Sequence, residues 1–247
     1  MSPVNAAQVP VDVAGFNQDL VVGTGTAVNP AAFQTAITAS MDGGTTKSGS
    51  TWYQLGENAD APATGLPMGA TFTSASDPGT SFAFQSDAGN NAILIDSAHT
   101  TGNFTLTTPS TFSSLSLLAS SAVGPTTVNI TLQFTDSTVL SLGNFVIQDW
   151  FSTSTPAIIA NGRIWSGGFE FVNSGNPRMF QIDVSLTGAG LTKVISGLSF
   201  TDVNDTGGRA GIFALSGTAI PEPGETILLT AGALTGWLVL RRRAFFR

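Results

Sequence analysis

The 247-residue sequence contains no cysteine, a single histidine and few charged residues. The absence of cysteine excludes disulfide bonds, thiol nucleophiles and zinc sites built on thiolates. His99 alone could act as the base of a serine triad, and no G-x-S-x-G nucleophile elbow surrounds a serine. Its surroundings, Ser97 to Gly102, are typical of a loop between strands. We therefore expect a solvated loop histidine and no catalytic residue.

Charged residues make up 10% of the chain, against roughly 25% in an average globular protein. The net charge is −7. Four of the basic residues are arginines after residue 240, so the chain upstream of residue 221 has five basic and 14 acidic residues and a net charge of −9. Such a surface repels phosphate backbones. The sequence thus argues against nucleic acid as a partner and agrees with an extracellular destination.

Alternating apolar residues predict many short β-strands. Val128, Ile130, Leu132 and Phe134 fall on one face of a strand, and a turn at 136–138 leads to a returning strand at 139–145. The same two-residue period occurs in two further segments, 180–186 and 194–200, and shorter strands are predicted at 93–95, 104–106, 115–117 and 211–215. At least eight short strands without a convincing amphipathic helix predict an all-β protein, an antiparallel β-sandwich with jelly-roll topology.

The sandwich is predicted to occupy residues 9–216 as one domain. We expect residues 1–8 to be a disordered N-terminus or the remnant of a signal peptide, and 217–225 to be a linker. One short helix is expected over residues 30–40, with Asn29 as its N-cap.

The C-terminal segment has the pattern of a membrane anchor. Residues 226–240 carry no charge, and as an α-helix they would be about 22 Å long. This is shorter than the ~20 residues that usually span a bilayer, but local thinning and extended arginine side chains would allow the span. Arg241, Arg242 and Arg243 follow directly and would stay cytoplasmic, which places the body outside the inner membrane. We predict a single transmembrane helix with a basic tail over 226–247; the alternative is a buried core helix.

Pro221, Glu222 and Pro223 lie just before this segment. The combination resembles the sorting signal of PEP-CTERM proteins, a tail also labelled ice-binding protein C-terminal domain, although that name implies no ice binding here. The resemblance covers about a tenth of the chain. It implies processing at the Pro-Glu-Pro motif by an exosortase, a membrane transpeptidase-like enzyme of Gram-negative bacteria associated with extracellular polysaccharide production. The protein would be anchored in the inner membrane before processing and reside at the cell surface or outside the cell afterwards.

An exported protein is expected to begin with a basic segment and an apolar core of 7–15 residues. Residues 1–8 contain neither, although Val4-Asn5-Ala6 has the small-residue pattern of a cleavage site. We therefore expect that Met1 lies inside a longer signal peptide or that the chain is truncated.

Two pairs of adjacent aromatic residues suggest a binding surface, Trp52-Tyr53 and Trp150-Phe151. Adjacent residues of a strand point to opposite faces, so one ring of each pair could be exposed and stack against a sugar. An acidic neighbour, Asp149, would accept hydrogen bonds from sugar hydroxyls. The alternative is that these rings cover the ends of the sandwich core.

Several polar residues could carry other chemistry. Asp202–Asp205 and Asp42–Gly44 offer the oxygen ligands that calcium prefers, or they are simply turns; no other cofactor is indicated. Glu57 and Glu170 could each pair with an aspartate for glycoside hydrolysis, or they are solvated loop carboxylates. Arg178 could meet a carboxylate across a loop, or it lies at a solvated hairpin end.

Three functions remain open from the sequence. The leading one is a non-enzymatic, exported protein of the cell surface or polysaccharide matrix. The second is a carbohydrate-binding module that binds extracellular polysaccharide through an exposed aromatic pair; segments 49–53, 149–151 and 176–178 resemble domains that accompany these tails, some similar to galactose-binding-type jelly rolls. The third is a secreted glycan hydrolase or lyase.

Overall fold

The computed structural model describes residues 7–23, 35–54, 65–165, 171–172, 176–203 and 207–220. Two antiparallel sheets lie against each other within this part of the chain. The first sheet has six strands, β1 (Val9–Val11), β7 (Ile93–Ile95), β9 (Phe112–Ala122), β12 (Ile158–Ile159), β15 (Arg178–Val184) and β17 (Arg209–Ala219). The second has five, β2 (Val13–Ala14), β8 (Thr101–Ser110), β10 (Thr126–Phe134), β11 (Val139–Ile147) and β16 (Ile195–Asp202). The predicted all-β sandwich is confirmed.

Along most of the chain, successive strands of the two large sheets alternate between the sheets, and the hairpin β10–β11 stays within one sheet. The six-stranded sheet runs β1-β17-β9-β15-β12, with β7 also pairing with β17, and the five-stranded sheet runs β11-β10-β16-β8-β2. Eight of these strands therefore form two four-stranded rows, β7-β17-β9-β15 and β8-β16-β10-β11. Such a double Greek-key arrangement is the strand order of a jelly roll.

Smaller elements complete the described part of the chain. A four-stranded sheet runs in the order β14 (Phe171–Val172), β13 (Arg163–Trp165), β4 (Ser50–Tyr53) and β3 (Val21–Val22), and only its β3–β4 pair is parallel. A hairpin joins β5 (Thr71–Thr73) to β6 (Ser81–Ala83). A single helical turn, α1 (Ala189–Thr192), precedes β16.

The first hydrophobic core fills the space between the two large sheets. Strand β10 shows why the sequence folds this way, because Val128, Ile130, Leu132 and Phe134 are all buried while the residues between them face outward. Burying one such side chain stabilises the fold by about 1.5–3 kcal/mol. The outward face of the five-stranded sheet is mostly polar, as alternation in a half-buried strand predicts, although Val139 and Val146 of β11 are exposed.

A second hydrophobic core covers the other face of the six-stranded sheet. Leu118 of β9, Met179 of β15 and Phe213 of β17 pack there against residues of the loops and of the four-stranded sheet. This sheet is consequently buried on both faces over part of its length, which explains the nearly continuous buried run of β9. The sequence predicted two layers, and the structure adds a third.

The end of the domain differs from the prediction. The expected linker begins at residue 217, whereas β17 pairs with β9 as far as Ala219. Gly217 therefore lies inside the strand and not in a linker. Its lack of a side chain has a packing reason, because a Cβ there would come within 2.8 Å of both Leu115 and Phe112. At the other end, β1 begins at Val9, and residues 1–6 lie outside the described residues.

Two predicted helices cannot be compared with the structure in full. The expected helix at 30–40 is described only from residue 35 onward, and the expected membrane segment at 226–247 lies outside the described residues. Among the residues that are described, no helix has the length and apolar character needed to cross a bilayer.

Candidate functional site

Three of the four predicted aromatic residues come together beside the six-stranded sheet. The rings of Trp52 and Trp150 meet edge to face with their centroids 5.6 Å apart, and Phe151 lies 5.4 Å from Trp150. Trp52 is on β4, and Trp150 lies in the turn after β11. Edge-to-face pairs of this kind add about 0.5–1.5 kcal/mol beyond the area they bury. We call Trp52, Trp150, Phe151 and the neighbouring Arg163 the aromatic cluster.

Of the two alternatives for Trp52-Tyr53, the one in which a ring is exposed is wrong. Both side chains are fully buried, and Trp150 is 2% exposed. The two faces of β4 are both covered: Trp52 enters the second core, and Tyr53 packs with Ile164 in a small separate cluster. The Tyr53 hydroxyl donates a hydrogen bond to the carbonyl of Asn161 at 2.6 Å, and burial raises its pKa to about 12. These three rings are therefore core residues, and only Phe151 keeps a partly exposed surface.

Arg163 was not among the predicted site residues, yet it connects the rings of the aromatic cluster to Asp42. Its guanidinium carbon lies 4.7 Å from the ring centre of Phe151 and 5.3 Å from that of Trp150, and Nη1 lies 3.9 Å from Oδ2 of Asp42. A cation over an aromatic face is attracted by the ring's electron density. Arg163 thus holds Phe151 at the surface of the cluster.

Trp165 is the exposed aromatic residue that the sequence analysis missed. Alternation along β13 places Arg163 and Trp165 on one face and the buried Ile164 on the other. Residues two apart on a strand are separated by roughly 7 Å, and the Trp165 side chain remains 44% exposed. The three-residue alternation around Ile164 was the available signal, but the strand is too short to stand out.

The loop that carries Trp150 is fixed from both sides. Asp149 accepts hydrogen bonds from the backbone N–H of Gly124 and of Phe151, each at 2.9 Å. The Asp149 carboxylate therefore holds the loop, which corrects its expected role as an acceptor for sugar hydroxyls. Arg178 donates from Nη1 to the carbonyl of Ser152 at 2.7 Å, so its partner is a backbone carbonyl, which neither of the two alternatives for Arg178 included.

His99 is not the solvated loop residue that we expected. Its Nδ1 lies 2.9 Å from Oδ1 of Asp96, which is 5% exposed, and its Nε2 lies 3.2 Å from Nε2 of Gln18. An Nδ1–H that donates to the carboxylate leaves Nε2 to accept from the Gln18 amide. Both ring nitrogens are then engaged, so this arrangement offers no free base beside a serine.

The other candidate ligands are only partly described. Asp42 accepts a hydrogen bond from the backbone N–H of Ser50 at 2.8 Å, and residues 204–206, with Glu57 and Glu170, lie outside the described residues. Among the described residues, no group of three or more acidic or histidine side chains could hold a metal ion. The sorting motif Pro221 to Pro223 and the basic stop Arg241 to Arg243 also lie outside the described part of the chain.

No family model and no curated protein matches this chain. Among solved structures, a carbohydrate binding module of family 29 is similar at 14% identity and a TM-score of 0.30, over 64% of this chain and 83% of that one. A variant of the CBM29-2 module is similar at 14% identity and a TM-score of 0.31, over 66% of this chain and 94% of that one. Scores of this size carry no argument about a ligand.

Proposed function

We propose that this protein is an exported, non-enzymatic protein of the cell surface or extracellular matrix, delivered there by a C-terminal sorting signal. The observation that carries the proposal is the combination of Pro221-Glu222-Pro223, an uncharged apolar segment and Arg241 to Arg243. An exosortase and, transiently, the inner membrane are its partners.

The end of the fold suits such processing. The last strand ends at Ala219, and the backbone N–H of Ile220 donates to the carbonyl of Thr111 at 2.8 Å. The motif begins directly after Ile220, the last residue of this part of the chain that the structure describes. Cleavage there would free the whole domain from the membrane segment without opening any of its strands.

Mass spectrometry of the protein recovered from exosortase-containing cells tests this function. We expect the mature chain to end at or near residues 221–223 and to lack the arginine cluster. The Glu222→Ala variant should remain uncleaved, whereas Glu225→Ala, the same change three residues downstream and outside the motif, should be processed normally. Recovery of the intact chain from the cytosol would refute the proposal.

A second candidate function is binding of extracellular polysaccharide at the surface formed by Trp165, Phe151 and Arg163. The exposed indole of Trp165 supports it, because a flat ring can stack on a sugar face while a neighbouring cation donates to hydroxyl groups. Aromatic residues at the centre of a binding surface often carry most of its energy.

Affinity electrophoresis in gels that contain matrix polysaccharide tests this second function. Trp165→Ala should weaken binding by about 30-fold, which corresponds to an anchor worth about 2 kcal/mol. Val139→Ala is the matched control, because Val139 is 66% exposed on β11 of the other large sheet. Equal binding by both variants would remove the aromatic surface from consideration.

A further inference from the structure

The outer face of the six-stranded sheet is divided into an apolar and a polar half. The apolar half is covered by the second core, whereas the polar half carries Ser114 and Ser116 of β9, Asp183 of β15, and Ser216 and Thr218 of β17. Register confirms that they are neighbours, since Ser116 pairs with Asp183 on one side and with Ser216 on the other, and Ser114 pairs with Thr218. The side chains of β9 and β17 are small here, which leaves a depression in the sheet surface.

The turn at residues 77–80 forms the opposite wall of this depression. Asp77 accepts hydrogen bonds from the hydroxyl of Thr80 at 2.7 Å and from the N–H of Gly79 at 3.0 Å. The N–H of Gln8 donates to the carbonyl of Gly79 at 2.9 Å, which ties the turn to the strand that starts at Val9. The wall is therefore held by the fold itself.

The resulting cavity, which we call the serine groove, has a volume of about 400 Å³. Pockets for small ligands are typically about 300–1,000 Å³. Its lining is polar throughout: Gln8, Asp77, Gly79, Thr80, Ser113, Ser114, Asp183 and Thr218.

Hydrogen-bond acceptors dominate the chemistry of the serine groove. Oδ1 of Asp183 accepts from the Ser116 hydroxyl and from the Gln181 amide, each at 2.7 Å. Asp77 and Asp183 both line the groove. An ionised carboxylate accepts hydrogen bonds and donates none, so the groove is suited to a ligand that brings donors.

The charge of the groove further restricts the class of ligand that it can bind. None of the residues that line it is basic, and the Thr80 hydroxyl, followed by the Gly79 N–H, lowers the pKa of Asp77 and keeps its carboxylate ionised at neutral pH. Two carboxylates without a neighbouring cation repel uronates and phosphates. A lining without aromatic or aliphatic side chains also gives little to an apolar ligand.

We propose that the serine groove binds one neutral hexose unit of a polysaccharide, with sugar hydroxyls donating to the carboxylates of Asp77 and Asp183. The proposal rests on the carbohydrate-binding function but uses a surface separate from Trp165. It also assigns a preference, namely neutral sugars over acidic ones.

The test is the full chain on an array of neutral hexose oligosaccharides and oligouronates, followed by titration calorimetry with the tightest binder. Asp183→Asn keeps an acceptor for Ser116 but removes the charge, and we expect affinity to fall about tenfold, as for a lost hydrogen bond to a charged group. Ser114→Leu should fill the groove and weaken binding at least as much. Asp136→Asn, which removes an exposed carboxylate at the β10–β11 turn, is the matched control and should bind as the wild type does.

Each result separates the groove from the aromatic surface. If only Trp165→Ala weakens binding, the serine groove is refuted and the aromatic surface stands. If only the groove variants weaken binding, the aromatic surface is refuted and the serine groove stands. Binding of oligouronates in preference to neutral sugars would also overturn the proposal, as would a melting temperature raised by calcium alone and reversed by chelation. A wild-type protein that binds no glycan on the array would refute carbohydrate binding altogether, without touching the sorting function.

Discussion

The carboxyl of Asp19 links the stability of the domain to pH. Burial, opposed by hydrogen bonds from the Val21 N–H and the Asn91 amide, raises its pKa from an ordinary value of 3.8 to about 6. The negative charge of Asp87 adds to the rise. Asp19 is half-buried just before β3, and its Oδ1 accepts from the Asn91 amide at 2.6 Å.

The sign follows from which state holds the proton more tightly. A carboxyl with a raised pKa binds its proton better in the folded state. The contribution of Asp19 to the free energy of unfolding is therefore fully present below pH ~4 and is lost as the pH rises through about 6. A shift of about two pKa units corresponds to about 3 kcal/mol. Because solvent reaches part of the Asp19 side chain, we expect about 1–2 kcal/mol.

Asp19→Asn tests this reasoning because the amide keeps an oxygen for Val21 and Asn91 but cannot ionise. Urea unfolding followed by tryptophan fluorescence would be compared between pH 4.5 and pH 7.5. We expect the variant to exceed the wild type in free energy of unfolding by about 1–2 kcal/mol at pH 7.5 and by about a third of that at pH 4.5, because pH 4.5 already lies above the ordinary pKa of 3.8. Asp136→Asn is the control: Lys193 lowers the pKa of Asp136 to about 2, so its contribution is lost only as the pH falls below about 4. A difference between Asp19→Asn and the wild type that is the same at every pH would refute the reasoning.

Three further predictions concern packing and buried hydrogen bonds. Trp150→Ala removes the centre of the aromatic cluster and should cost about 3–5 kcal/mol in urea unfolding, whereas the exposed Trp165→Ala should cost under about 1 kcal/mol; equal costs would contradict the assignment of Trp150 to the core. Gly102→Ala would place a Cβ against Cγ2 of Ile93 and should lower stability by about 1–3 kcal/mol, while Gly89→Ala, where a Cβ meets nothing within 4 Å, should not; unchanged melting of Gly102→Ala would refute the close packing of β8 on β7. Ser216→Ala removes a hydroxyl that lies 2.9 Å from the carbonyl oxygen of Val9 and 2.8 Å from that of Ser81 and donates its one proton between them. The change should cost about 1–3 kcal/mol, with faster amide exchange in β1 and β6; a cost no larger than that of the exposed Ser113→Ala would contradict it.

The long strands could be predicted from the sequence because each has one solvated face. Val128 to Phe134 alternate cleanly, and the structure places β10 over these residues with the expected side inward. Strand β9 gave a weaker signal, since Ser116, Leu118 and Ser120 are buried on its outer face as well. A strand covered on both sides loses the two-residue period on which such predictions depend.

The candidate site could not be predicted to the same degree. Three of the four rings in the aromatic pairs lie in one cluster, but the burial of Trp52 and Tyr53 depends on a third layer built from segments distant in sequence. Trp165 and Arg163 belong to a strand of three residues, too short for a periodic pattern. The serine groove depends on Asp77 meeting Asp183 across more than a hundred residues, which no local pattern indicates.

The position of β17 within its sheet sets the order in which the domain can assemble. Residues Arg209–Ala219 pair with β9 on one side and with β1 and β7 on the other, so a nascent chain that has not yet produced them lacks the middle of its largest sheet. Because chains emerge from the ribosome N-terminus first, the residues that precede β17 cannot by themselves complete the six-stranded sheet that covers the first core. We expect the domain to stay open throughout nearly all of its synthesis and to collapse cooperatively once this last segment is released.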